Sequence, residues 1–303
     1  MRCAGQTHLA STRVGVELNT DSVQELIERG LNQPVTTISP IMGGDSHHAY
    51  SVLARDGTRF FAKWNTGDGT TALESEFDSL QTLHALGAHW YPQPISTQRD
   101  GDTVVLVMEY LDLGRPIQGR SAEDLGRLLA MQHRLTSSKF GWVADNHIGR
   151  TPQLNNNHSD WVTFYRECRL APQLNMATRR GLPNDIEAQI LDLMSRLDEI
   201  IDLKTLKPAL LHGDLWAGNA SITLQGEPIF FDPAPYFGDP LADIAMTRLF
   251  GGFPHEFYAA YYEVISVRPQ AEMHCKIYDL YHALNHFNLF GAGYLSMLAR
   301  CLN

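Results

Sequence analysis

Up to about Glu109 the apolar positions of this chain fall into short runs bounded by turns, and from Ser121 onward they recur at helical spacing. Ahead of the first runs, Asp21 to Arg29 carries Val23, Leu26 and Ile27 on one helical face and runs into Gly30, which predicts a short helix with a glycine C-cap. VTTISPI, the turn GGDS, AYSVLA, the Asp56-Gly57 turn and TRFFAKW then predict three antiparallel strands, with Lys63 near the end of the third. In TALESEFDSLQTLHAL, Leu73, Phe77, Leu80 and Leu83 line one face of a helix that Gly87 stops. At about 100° per residue Glu76 lies within about 50° of that apolar face, so its carboxylate requires a buried or half-buried cationic partner. PISTQR, Asp100-Gly101 and TVVLVMEY complete a five-stranded antiparallel sheet with one helix inserted after the third strand.

Past the sheet, SAEDLGRLLAMQHRL opens with a capping pattern, Ser121 to Asp124, and DWVTFYRECRL and NDIEAQILDLMSRLDEII follow with helical periodicity. PALLHGDLWAGN, ASITL, a QGEP turn, IFFDPAP and LADIAMTRLF read as short strand, loop, hairpin and helix. The last sixty or so residues read as helices broken near Gly291 and Gly293. An α+β chain of two lobes follows: residues 1–110 form a sheet lobe whose first dozen residues are a loose extension, and residues 111–303 form a helical lobe. The length of 303 residues suits two domains or one large domain built from two lobes.

Composition narrows the partners. Apolar residues make up 44% of the chain, enough to bury a core. The net charge of −10 argues against nucleic acid or an anionic membrane as the main partner, so an anionic ligand must be gripped locally. Cys3, Cys168, Cys275 and Cys301 show no metal or disulfide spacing and read as reduced thiols. With no long apolar run and no secretory pattern at the start, the expected setting is cytoplasmic, and a monomer is the default.

The strongest chemical signal is the stretch from His212 to Asn219, HGDLWAGN, followed after a hairpin by Asp232. Phosphoryl transfer needs one carboxylate to orient an attacking hydroxyl and take its proton. It also needs an amide oxygen and a second carboxylate to hold magnesium on nucleotide phosphates. Asp214, Asn219 and Asp232 fit those roles in that order, with Asp-Pro-Ala standing where many kinases have Asp-Phe-Gly. Lys63 and Glu76 supply the ion pair that anchors ATP phosphates. Gly43 and Gly44 offer backbone N–H groups to phosphate, a weak signal because the turn is not GxGxxG. The segment MEYL, with Glu109 and Leu111, is placed to bind adenine but is equally an ordinary strand end.

Together with FFAKWN, FGW, the NHIG and TPQLN stretch, FDPAPYFGD, LFGGF and NHFNLFG, these motifs make the chain resemble the fructosamine kinase (ketosamine 3-kinase) family. The likeness runs from about Ile38 to the C-terminal helices, and Trp216 after HGDL, with LFGGF and NHFNLFG, separates it from kinase-like phosphotransferases at large. The resemblance implies a protein-kinase-like fold, shared with aminoglycoside phosphotransferases. It also implies ATP- and Mg2+-dependent phosphorylation of the sugar 3-hydroxyl of a ketosamine or glycated amine, after which the 3-phosphate decomposes and frees the amine. By the same resemblance Asp214 is the base, Asn219 and Asp232 the magnesium ligands, and Trp216 part of the sugar pocket. Asn285 and His286 would line the acceptor pocket or merely pack a helix, His212 would brace the loop, and Asp243 would hold the loop from behind. Two departures, Asp239-Pro240-Leu241 and His147 in NHIG where the family commonly has Tyr, bear on specificity or on packing after the metal-binding Asp. A kinase of another small hydroxylated amine and a nucleotide-binding pseudokinase are the rival readings.

Blander readings stand beside the sharp ones. His282 and His286, four apart on a helix, lack the third ligand that a metal site needs. His47-His48 reads as a solvated loop, and Trp142, Trp161 and Phe164 as core.

Overall fold

A computed structural model describes residues 20–41, 47–201 and 206–302. Both the N-terminal extension and the Gly43-Gly44 turn expected above lie outside these residues. The chain opens with α1 (Thr20–Leu31), β1 (Val35–Ile41), β2 (His48–Ala54), β3 (Arg59–Thr66), α2 (Thr70–Ala85), β4 (Pro94–Asp100) and β5 (Thr103–Glu109). The five strands form one antiparallel sheet in the order β1-β2-β3-β5-β4. Its tight turns fall where the sequence placed them. Gly57 (φ 87°) and Gly101 (φ 51°) take the left-handed conformation that suits glycine, and the Asp56 carboxylate accepts the N–H of Thr58 at 2.8 Å.

Strand alternation sorts β5 between two apolar layers. Val105 and Val107 face α1 with Val23, Leu26, Ile27, Val52, Ala62 and Trp64, whereas Val104, Leu106 and Met108 join Leu73, Leu80 and Leu83 of α2. Covered on both faces, this strand reads as a continuous apolar run, and each of its buried aliphatics contributes about 1.5–3 kcal/mol before entropy is charged against it. Gly30 does not cap α1. Asn32 (φ 52°) makes the turn instead, and Gly30 is where the helix lies against β4, since a Cβ there would stand 2.3 Å from Ser96 Oγ.

The helical lobe comprises β6 (Leu113–Arg115), α3 (Arg120–His133), β7 (Asn146–Ile148), β8 (Thr151–Gln153), α4 (Trp161–Phe164), α5 (Ala171–Arg179), α6 (Asn184–Ser195) and α7 (Leu197–Ile200). After these come β9 (Ala209–Leu211), β10 (Ala220–Thr223), β11 (Pro228–Phe230), β12 (Tyr236–Gly238), α8 (Leu241–Leu249), α9 (His255–Val264), α10 (Ala271–Phe290) and α11 (Leu295–Leu302). Three pairings escaped the sequence: β6 joins the β10–β11 hairpin, β12 pairs with β9, and β7 pairs with β8. Ser121 caps nothing. Helix α3 begins at Arg120 behind Gly119, and the Ser121 hydroxyl bonds the carbonyls of Pro116 (2.8 Å) and Gln118 (2.9 Å). Between α4 and α5 the helix opens into a π turn, Tyr165–Leu170, which directs the buried Arg169 to Asn155 Oδ1 (2.8 Å) and over the Tyr236 ring.

Trp142, Trp161 and Phe164 are buried, as core residues should be. The connection from α2 to β4 presses Trp90 and Tyr91 into the helical lobe, where the Trp90 Nε1–H and the Tyr91 hydroxyl both donate to Gln132 Oε1, at 2.8 and 2.9 Å. One apolar cluster therefore runs from α2 and the sheet into the helices.

Candidate active site

The site is assembled from one strand, one helix and two loops. On β3, Ala62 and Trp64 turn toward α1, so Lys63 emerges on the opposite face, beneath α2. Its ammonium donates to Glu76 Oε1 at 2.7 Å and to Asp232 Oδ1 at 2.5 Å, and the Lys63 and Glu76 side chains are only 9% and 11% exposed. Burial alone would push the lysine down, but the charges of Asp232 and Glu76 outweigh it and hold the ammonium above its usual pKa. Burial, helped by the negative charge of Asp232, raises Glu76 against the pull of Lys63. Asp232, with its side chain 49% exposed, is held below the usual carboxylate range by Lys63 in spite of partial burial. It takes φ 54°, a left-handed backbone that Asp tolerates better than most side chains.

Asp214 and Asn219 come from the loop between β9 and β10. The Asn219 amide N–H donates to the Asp214 carbonyl at 2.8 Å and reaches Asp214 Oδ2 at 3.3 Å. That leaves the Asn219 Oδ1 as the group's open oxygen. Burial first, then the like charges of Asp232 and Asp243, push the Asp214 carboxyl up to about 7. His212 Nδ1 accepts the N–H of Asp214 (3.2 Å), so the ring proton is on Nε2, which donates to the carbonyl of Phe231 (3.0 Å), the residue before Asp232. Burial keeps that imidazole neutral. Behind the loop, the Asp243 carboxylate accepts the N–H groups of His212 (2.7 Å) and Gly213 (2.9 Å) and a proton from His133 Nε2 (3.1 Å). Gly213 is obligatory, having φ 83° and space for a Cβ only 1.9 Å from the carbonyl oxygen of Ala234. Trp216 is 42% exposed, and its ring lies over Gly218, where a Cβ would meet it at 2.2 Å.

Five residues far apart in sequence thus converge: Lys63, Glu76, Asp214, Asn219 and Asp232. His212 and Asp243 brace them from behind. Glu109 ends β5 with its N–H on the Gln93 carbonyl (2.9 Å), and Leu111 follows half-buried in the passage to the helical lobe. Asn285 is buried, its Oδ1 accepting from Gln173 of α5 (3.3 Å). His286 bonds the His282 carbonyl (2.9 Å) and packs at a tilt against the Phe250 ring. Neither is hydrogen-bonded to Asp214, Asn219 or Asp232. Among the described residues no three His, Cys, Asp or Glu side chains form a metal cluster, His282 and His286 included.

His47 and His48 are not a solvated loop. His48 starts β2 and stacks on Trp64 at 4.4 Å, while His47 is half-buried beside Asn65 (3.0 Å), and burial followed by the Lys63 charge lowers it to about 4. Sequence reasoning also missed Asn146 and Gln153, whose amides hold the carbonyls of Pro235 (2.9 Å) and Ala234 (3.1 Å) just past Asp232. They stand in the quoted NHIG and TPQLN motifs, a signal to which no role had been attached. Asp239 is wholly buried and takes Arg268 (2.5 and 2.7 Å), Tyr278 (2.6 Å) and the N–H of Leu241 (3.0 Å), so that departure from the family pattern anchors the start of α8.

A sheet lobe presenting a lysine–glutamate pair to a loop aspartate, over an Asp–Asn loop in a helical lobe, defines a phosphotransferase of the protein-kinase-like fold. Comparison with known proteins narrows the class. The sequence profile of the fructosamine kinase family matches residues 19–303. The "probable ketoamine kinase" of Synechocystis sp. is 37% identical over 268 residues, covering 86% of this chain and 89% of that protein. The chloroplastic protein-ribulosamine 3-kinase of Oryza sativa subsp. japonica is 34% identical over 294 residues, covering 95% and 84%. A crystal structure from Thermobifida fusca, provisionally named a fructosamine-3-kinase, superposes with a TM-score of 0.82 at 29% identity, covering 94% of this chain and 98% of that one. This chain belongs to the fructosamine kinase family, and it is a phosphotransferase.

Proposed function

We propose that this protein transfers the γ-phosphate of ATP to the 3-hydroxyl of a ketosamine, a fructosamine- or ribulosamine-type adduct of a sugar with an amine. The observation that carries this reading is the Lys63 ammonium bridging Glu76 and Asp232 beside the Asp214–Asn219 pair. Asp214 orients the sugar hydroxyl and takes its proton as that oxygen bonds the γ-phosphorus and the bond to the ADP oxygen breaks. Lys63, steadied by Glu76, holds the phosphates, and Trp216 offers an exposed apolar face to the sugar. Most of the rate enhancement comes from positioning and fixed charge.

The open oxygens of Asn219 and Asp232 fit a hard divalent ion that keeps most of its shell for water and phosphate. Mg2+ bound there would neutralise charge on the phosphates. Decay of the sugar 3-phosphate would free the amine, which makes the activity a deglycation. The relatives named for ketoamine and ribulosamine substrates support that acceptor class. A small ketosamine or a glycated amine on a protein is the acceptor, the lobes meet at residues 110–111, and the enzyme works as a cytoplasmic monomer without nucleic acid or membrane. No described helix is long and apolar enough to cross a membrane, and Cys168, Cys275 and Cys301 are free thiols.

The test is phosphorylation, followed by 31P NMR, of a panel of ribulose-, erythrulose- and fructose-amine adducts with ATP and Mg2+. At least one adduct gains a 3-phosphate, and Asp214→Ala abolishes the reaction while the protein stays folded. Full turnover by Asp214→Ala, or no reaction across the panel, rejects the assignment.

A further inference from the structure

The β7–β8 hairpin belongs to the helical lobe by its bonds. Asn146 and Gln153 hold the carbonyls of Pro235 and Ala234, Gln153 also donates to Asn146 (2.8 Å), and the Tyr281 hydroxyl donates to Gln153 Oε1 (2.7 Å). The hairpin is thereby fixed to Ala234 and Pro235, two and three residues past Asp232. His147 lies between Asn146 and Ile148, both buried, and strand alternation turns it the other way, toward α2 of the sheet lobe. There Nδ1 meets Ser75 Oγ at 2.8 Å and Nε2 meets Thr71 Oγ1 at 3.4 Å.

Counting protons fixes the direction of these bonds. The single hydroxyl proton of Ser75 goes to the Ala72 carbonyl at 3.0 Å, so Ser75 Oγ accepts from His147 Nδ1–H. Nε2 is then the acceptor for the Thr71 hydroxyl, which makes this the neutral ring favoured by its burial. Ser75 directly precedes Glu76. A path of covalent bonds and two side-chain hydrogen bonds therefore runs from Glu76 through Ser75, His147, Asn146 and Pro235 to Asp232, and Lys63 closes it.

We infer that His147 is a positioning residue: it ties the Glu76 end of α2 to the loop of Asp232 and so fixes the two carboxylates that aim the Lys63 ammonium at the phosphates of ATP. Apolar packing of Leu73, Leu80 and Leu83 seats α2 on the sheet, and the His147 tie adds a polar fix from the helical lobe at the half bearing Glu76. The inference rests on the ATP-binding role assigned to Lys63 and on no particular acceptor.

The test uses His147→Phe, His147→Asn and Ser75→Ala in the full chain. Read-outs are ATP affinity by calorimetry, KM for ATP and for the acceptor, and amide exchange over residues 71–76 without nucleotide. Loss of one net hydrogen bond predicts ATP affinity weakened about five- to tenfold in His147→Phe and in Ser75→Ala. Acceptor KM stays put, exchange over 71–76 quickens, and the Phe–Ala double variant is no worse than either single one. His147→Asn, whose amide nitrogen sits where Nδ1 was, stays within about twofold of wild type. ATP affinity within about twofold of wild type in Ser75→Ala overturns the inference, as does additivity in the double variant. Should His147→Phe fail to fold, Ser75→Ala decides alone. Binding of ATP needs no acceptor, so a protein that phosphorylates no ketosamine yet loses ATP affinity in these variants refutes the acceptor assignment and leaves the tie standing.

Discussion

Replacing Asp214 by Asn should abolish turnover and, above neutral pH, make the protein more stable. In the unfolded chain the Asp214 carboxyl loses its proton near its ordinary value of 3.8, and in the folded chain burial and the charges of Asp232 and Asp243 delay that loss to about 7. Between those values the native state holds a proton that the unfolded state has released, so raising the pH favours unfolding. Below about pH 4 the penalty is absent, and above about pH 7 it is full and constant. A difference of about three pH units corresponds to a ceiling of about 4 kcal/mol. Asp214 is half-buried rather than sealed, and solvent screening brings the expected figure to roughly 2 kcal/mol. Asn keeps the shape and leaves the Asn219 bond to the backbone carbonyl of residue 214 in place. For a chain of this size the gain at pH 8 is about 3 to 6 °C in Tm, shrinking toward zero near pH 4.5. Calorimetric melts of both proteins at pH 4.5, 6 and 8, without nucleotide or divalent ion, measure it. A variant no more stable than wild type at pH 8, or one whose gain is the same at every pH, refutes the reasoning.

Two further substitutions probe the scaffold. Asp243→Ala strips the acceptor from two buried backbone N–H groups and from His133, and should cost about 3–5 kcal/mol in urea unfolding together with most activity; a loss under about 1 kcal/mol would contradict the bracing role. Gly126→Ala sets a methyl group 2.1 Å from the Phe257 carbonyl oxygen where α3 meets α9. Overpacking of about 1–3 kcal/mol should exceed the gain of up to about 1 kcal/mol in helix propensity, and a rise in the urea midpoint would show that the two helices can separate freely.

The Lys63–Glu76 pair was legible because strand and helix periods are local: one placed Lys63 on a strand, the other turned Glu76 toward the sheet. The Asp214–Asn219 loop stood out through residue identity at fixed spacing. Strands β6, β7, β8 and β12, of three residues each, carry no period of their own. Tyr236–Gly238 pairs with Ala209–Leu211, and Leu113–Arg115 pairs with a strand more than a hundred residues on, so those partners are set by the tertiary fold. Gly30 misled because a glycine at a helix end reads the same whether it makes a turn or admits a neighbouring strand. Ser121 misled because two carbonyls within five residues compete for its hydroxyl. His47 escaped because nothing near it in sequence announces Asn65 or Lys63 across the sheet.

Trp90 and Tyr91, seated between the lobes, constrain how the cleft can breathe. Sliding the sheet away from the helices would draw the Tyr91 ring into water at about 2–3 kcal/mol and strip Gln132 Oε1 of both its donors. Rotation of one lobe against the other about this buried pair, by contrast, leaves both hydrogen bonds and the buried ring in place.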